Sequence, residues 1–350
     1  MDRSTGSHPC AVSYRVRRQD VSACAEVRCY RAAYGIVSVT MIARRSHMPN
    51  FQKAAIERYL CTGEHDSLFR AWPGETFTAR VRQGDLALRG ALISLVKSRA
   101  GHATVPEELV NLDVVSFTRT KVGPMVRGLF PKVEQQSVLD ALARSVVFLT
   151  PATIEPVLNQ SRFLMTAWNL SNLYLAGCGS KLLSDDAPKL VGLSEETTCY
   201  VSMAYFRPNG QFDDFVVHEA AHIFHNCKRQ TIGLPATRRR EWLLDIDFGK
   251  RETFAYACEV YSRMLQLGRS AAARRELLSQ AENGLSLPDD RVVACEYINI
   301  LRAAVAARNG WKQILQNCKP AHARRPIRRT GQDDAKRSQS NAGCNSSNVS

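Results

Sequence analysis

Asp213-Asp214-Phe215-Val216-Val217-His218-Glu219-Ala220-Ala221-His222-Ile223-Phe224-His225-Asn226-Cys227-Lys228-Arg229 is the stretch on which the reading of this chain turns. Val217, Ala220, Ala221 and Phe224 recur at helical spacing and form one apolar stripe, with His218 and His222 on the neighbouring face. Asp213 and Asp214 stand where a helix N-terminus favours acidic groups, and Lys228 and Arg229 where its last turn favours cations, so a helix is predicted over 213–228. Residues four apart on a helix project from the same face, which lets two imidazoles reach one tetrahedral zinc ion. Glu219 comes next round the helix, close enough to take a proton from a water that the metal activates without being a ligand itself. Small Ala220 and Ala221 suit close packing against a sheet. His225 lies a turn beyond His218, near the same face, and reads as a capping or hydrogen-bonding group or as a further ligand.

Catalytic zinc needs a third protein ligand. The segment Arg251–Leu265, RETFAYACEVYSRML, divides sharply when wound as a helix. Phe254, Ala257, Cys258, Tyr261, Met264 and Leu265 fall on one side, and Glu252, Tyr256, Glu259 and Arg263 on the other. The polar stripe reads either as a solvated face carrying a Glu259–Arg263 pair, or as a face whose first-turn Glu252 points at the two histidines. Glu259, seven residues later, is the fallback ligand, and Asp245 and Asp247 are outside candidates.

His218-Glu219-Ala220-Ala221-His222, with Glu252-Thr253-Phe254-Ala255-Tyr256-Ala257, resembles the zincin metallopeptidases of the gluzincin type. The resemblance implies Zn2+ held by His218, His222 and Glu252, Glu219 as general base, and a peptide or protein substrate. An oxyanion-stabilising group is also expected, and Tyr256, one turn after Glu252, is the candidate. The segment Thr198–Phe206 resembles the edge strand that these enzymes place before the active-site helix, which implies substrate binding by strand addition. The likeness covers about residues 198–266, and no third histidine follows at metzincin spacing.

Working outward, Phe51–Leu60 and Gly84–Ala100 read as helices, and Gln136–Ser145 as another. Val146–Thr150 reads as a short buried strand, Asn172–Leu175 as a second, and Thr198–Phe206 as a third, ended by the turn Arg207-Pro208-Asn209-Gly210. Helices are predicted over 252–267, 272–283 and 291–309, with Gly310 as a C-cap. The expected class is α+β, mainly helical, with a small sheet packed on the histidine-bearing helix. The expected division is a helical region at 48–135 and a zincin-like catalytic region at 136–318.

The net charge of +14 suggests nucleic acid until it is located. Residues 1–47 hold eight Lys/Arg against three Asp/Glu, and 319–350 seven against two, so a net charge of only +4 remains for 48–318. No reading motif accompanies them, and dedicated nucleic-acid binding is not expected. Residues 1–47 read as a basic extension or as an over-extended start before Met48, and 319–350 as a disordered polar tail. The 11 cysteines are odd in number, scattered and without a CxxC pair, which suits a reducing cytoplasm. No apolar run is long enough to span a membrane. Two rival readings are a zincin-like domain that keeps zinc as a sensor or binding module, and a basic nucleic-acid-associated protein in which the motif is accidental.

Overall fold

The computed structural model describes residues 50–320, apart from 208–209, 239 and 285–288. The expectations for 1–47, for the tail beyond Pro320 and for the turn at Pro208-Asn209 lie outside the described residues. Among the described residues the chain is mainly helical, with one small mixed sheet. In order it forms α1 (Asn50–Thr62), α2 (Phe77–Ala100), α3 (Glu107–Val110), α4 (Val114–Leu129), α5 (Lys132–Ala143), β1 (Val146–Leu149), α6 (Ile154–Gln160) and α7 (Leu164–Gly177). Then come β2 (Gly192–Glu195), β3 (Thr198–Ser202), α8 (Phe215–Asn226), α9 (Arg251–Leu267), α10 (Ala271–Gly284), α11 (Ala294–Ala306) and α12 (Gly310–Cys318).

The strand order is β1-β3-β2, with β1 parallel and β2 antiparallel to β3. Both faces are covered, which is why VVFL in β1 is continuously apolar rather than alternating. Val146, Phe148, Cys199 and Val201 join a core with α4, α5, α8, α9, α11 and α12. Leu149 and Tyr200, pointing the other way, join a second core with α1, α2, α6 and α7. The sheet, not a point in the sequence, separates the two cores. The expected division at 135/136 falls inside α5, and α4 and α5 pack with the histidine-bearing helix rather than with α1 and α2.

Several local expectations are corrected. Asn172–Leu175 belongs to α7, not to a strand. Leu170 to Leu175 are all buried, so this helix shows no amphipathic period to distinguish it from a short strand. The strand expected over Thr198–Phe206 ends at Ser202, whose side chain accepts from Ala204 N at 3.2 Å and caps a short 3-10 turn over Met203–Phe206. It is also the central strand; the edge beside α8 is β2, a segment not expected to be a strand at all. Gly310 does not end a helix at 309. Asn309 caps the next one by accepting from Lys312 N at 3.2 Å, and a Cβ at Gly310 would lie 2.5 Å from Tyr261 Oη.

Past the end of α8, Lys228 pairs with Glu241, and Arg229 is wholly buried. The carbonyls at the end of α8 are satisfied instead by the returning chain, with Leu244 N donating to Phe224 O at 2.8 Å and Leu243 N to Cys227 O at 3.1 Å. Arg229 holds that return in place. Its Nη2 lies 2.7 Å from Glu134 Oε1 on α5, its Nε donates to Pro235 O, and Arg240 approaches the same carboxylate from the surface. Removing one partner of a buried pair leaves the other charge uncompensated, at a cost of roughly 3–5 kcal/mol. Glu134→Ala should therefore destabilise by about that amount in denaturant unfolding, and a Glu134→Ala/Arg229→Met double variant by much less. Equal losses in the two variants would show that the ion pair is not the source.

Candidate metal centre

α8 begins at Asp214, a buried N-cap whose Oδ1 accepts from Val217 N at 3.4 Å and whose Oδ2 pairs with Lys121 Nζ at 2.7 Å. Val217, Ala220, Ala221 and Phe224 are fully buried, as the apolar stripe requires. This seats His218 and His222 on the face turned towards α9, and their Nε2 atoms lie 3.1 Å apart. Glu252, in the first turn of α9, brings Oε2 to 3.8 Å from His218 Nε2 and 3.5 Å from His222 Nε2. Among the described residues, no other three His, Cys, Asp or Glu side chains converge in this way.

The separations test whether one metal ion suits the group. Two ligands at roughly 2.0–2.1 Å from a tetrahedral zinc stand about 3.3–3.4 Å from each other. The observed 3.1, 3.5 and 3.8 Å bracket that value. The donor set of two imidazoles and a carboxylate is also one that zinc accepts.

What stands behind the histidines matters equally. His218 Nδ1 lies 3.0 Å from Glu259 Oε2, and the other oxygen of Glu259 accepts from Asp214 N at 2.7 Å. A proton on His218 Nδ1 is thus held by a carboxylate, which leaves the Nε2 lone pair facing inward. His222 Nδ1 lies 3.0 Å from His225 Nε2, and His225 Nδ1 lies 3.0 Å from Asn226 Oδ1. Asn226 Oδ1 can only accept, so His225 carries its proton on Nδ1 and accepts at Nε2 from His222. His222 then also turns its lone pair to the centre.

Burial disfavours charge on His218, but the hydrogen bond and charge of Glu259, with Glu219 and Glu252, outweigh it and raise the imidazole to about 9. Burial also opposes ionisation of Glu252, yet His222, His218 and Arg291 hold it down at about 2. Burial, with the charges of His222 and Arg251, pushes His225 down to about 3 and keeps it neutral. The Tyr256 ring sits edge-on to His218, 4.3 Å between centroids. Its phenol is pushed well up by burial and then by Glu252 and Glu259, and remains a donor. Glu219 is buried, and Ser194 Oγ on β2 lies 2.5 Å from its Oε2.

No family model, curated protein or solved structure matches this chain.

The site therefore stands on its own geometry. The structure brings together His218, His222, Glu252, Glu219 and Tyr256. It leaves out Asp245, which is exposed, and Asp247, which accepts from Gly249 N at the head of a 3-10 turn. His225 and Glu259 are not in the convergent group but hold its histidines from behind. Glu259 is buried and makes no solvated pair with Arg263, which donates instead to Gln211 O. Three contributors carried no sequence signal: Ser194 and Gly192 on β2, and Arg291, whose Nη1 reaches Glu252 Oε1 at 3.1 Å. Arg291 occupies the Glu252 oxygen that faces away from the histidines.

Proposed function

We propose that the chain is a zinc-dependent peptidase built on the zincin plan, of the type whose third ligand is a glutamate. The observation that carries the reading is the convergence of His218 Nε2, His222 Nε2 and a Glu252 oxygen, with both Nδ1 atoms engaged behind them. Zinc, when bound, supplies Lewis-acid polarisation of a substrate carbonyl and activation of a water molecule. His218, His222 and Glu252 would hold it. Glu219, tethered at Oε2 to the edge strand, would accept the proton of the attacking water and return it to the leaving amine. Tyr256, held protonated, donates towards the oxyanion that develops on the carbonyl. The free edge of the sheet beside α8 is β2, so an extended peptide would pair with Gly192–Glu195.

The seven described cysteines are free, which favours the reducing cytoplasm as the place of work. Among the described residues, no helix is long and apolar enough to cross a membrane. The direct test is metal content after purification without added zinc, followed by cleavage of a mixed peptide library. About one zinc per chain with cleavage supports the proposal, and zinc without cleavage would favour a sensor or binding module.

A pH prediction follows from His218. Its affinity for a proton is raised, so below about 9 the metal-free centre holds that proton and a metal must expel it. Zinc affinity should then rise as pH rises towards that value, by up to roughly tenfold per pH unit. At pH 7, calorimetry in two buffers of different ionisation enthalpy should show about one proton released per zinc. Release of no proton would show that Glu259 does not hold His218 charged.

A further inference from the structure

We propose that Gly192 and Ser194, neighbours on one face of the edge strand β2, form a seat that positions the Glu219 carboxylate; this inference rests on the peptidase reading above. Alternate residues of a strand point to the same side. Gly192 pairs with Val201 and Ser194 with Cys199, so both are directed at α8 while Leu193 joins the opposite core.

The two residues act on Glu219 by different means. A Cβ built at Gly192 would fall 2.5 Å from Glu219 Cγ and 2.5 Å from its Oε1. Gly192 is not among the glycines of positive φ, so its backbone does not require glycine. It is glycine for space: the Glu219 side chain fills the volume that a side chain at 192 would take. Ser194 supplies the tether. Its Oγ lies 2.5 Å from Glu219 Oε2 and 2.8 Å from the Glu219 carbonyl oxygen, and it is the one hydrogen-bond partner of that carboxylate among the described residues. One oxygen is thereby hydrogen-bonded to the strand, and the other packs against Gly192. The hydroxyl also has a second acceptor in reach, so its proton stays satisfied if the carboxylate turns towards substrate.

A buried carboxylate held from one side only has its direction set by that contact. Misplacement of a catalytic group by about 1 Å can cost on the order of 100-fold in rate. Ser194 and Gly192 are thus positioning residues, and the strand that would pair with a peptide also aims the base at it.

The test uses full-length protein with five variants: Ser194→Ala, Ser194→Thr, Gly192→Ala, Glu219→Gln and the Glu219→Gln/Ser194→Ala pair. Ser194→Ala should keep wild-type zinc content and a cooperative melt, at a temperature lowered by the lost hydrogen bond, while kcat against a peptide library falls about 10–100-fold and KM changes less than about twofold. Ser194→Thr, which keeps the hydroxyl, should restore most of the rate. Adding Ser194→Ala to Glu219→Gln should cost nothing further, because the two act as one unit. Gly192→Ala should lower kcat at least as far as Ser194→Ala with zinc retained. A readout independent of activity comes from infrared spectroscopy, as the difference between wild type and Glu219→Gln isolates the Glu219 carboxyl bands. Ser194→Ala should shift those bands. Unshifted bands, or an additive rate loss in the double variant, would overturn the seat. Shifted bands with zinc bound and no cleavage by any variant would uphold the seat and refute the peptidase reading.

Discussion

Glu219→Gln is expected to keep full zinc occupancy and wild-type stability while peptide hydrolysis falls by about 10²–10⁴-fold, the usual worth of a positioned acid–base group. Glutamine has nearly the same size, so it leaves the packing against Gly192 undisturbed and can still meet Ser194 Oγ through its amide. What it cannot do is accept a proton and give it back. Zinc should be retained because Glu219 is not one of the three convergent groups. Equal cleavage by wild type and variant would rule out Glu219 as the base. Lost zinc would show that the carboxylate is a ligand.

The second large effect separates ligands from the groups behind them. His218→Ala and His222→Ala should each strip zinc from the purified protein, and Glu252→Ala should weaken binding by at least about tenfold, since each removes one of the three convergent groups that would hold the ion. Glu259→Ala should weaken binding by roughly 10–100-fold, the range expected when a group that orients a ligand is lost. It should also destabilise the metal-free protein, because Asp214 N and His218 Nδ1 lose a buried acceptor. Competition with a chromophoric chelator measures the first effect, and thermal melting of the metal-free form the second. Tight zinc in Glu252→Ala together with none in Glu259→Ala would exchange the two assignments.

How much of this was legible depended on whether a residue's partner lay on its own helix. α8 could be read almost completely, because its apolar stripe, its histidine pair and its Asp214 cap are all local to it. The stripe of α9 was legible too, including first-turn Glu252 as the group facing the two histidines. Its surroundings were not. Glu259 resembles any solvated glutamate until His218, 41 positions away in sequence, is folded against it. β2 was hidden for another reason. It is four residues long, begins with glycine, and turns into β3 through Glu196-Thr197, where Glu196 adopts φ +49°. Hairpins of two residues usually announce themselves with Asn-Gly or Asp-Gly at such positions, and this one does not. The helix end at Asn226 was misplaced because Lys228 and Arg229 suit a last turn equally well, and Glu134, which claims Arg229, lies 95 residues earlier.

Because β1 and β3 run parallel, the chain must travel from Leu149 to Thr198, through α6, α7 and β2, before the two strands can pair. Closing a loop of that length costs about 3–4 kcal/mol of chain entropy before any pairing repays it. The β2–β3 hairpin needs only a two-residue turn and carries no such cost. Folding should therefore form the hairpin early and join β1 late, once α6 and α7 have packed across the far face of the sheet. The histidine helix packs on the near face, and its Glu219 is tethered to β2. Complete assembly of the centre is thus coupled to a long-range closure. A nascent chain that has already exposed His218 and His222 would still lack an ordered centre until its own fold is complete.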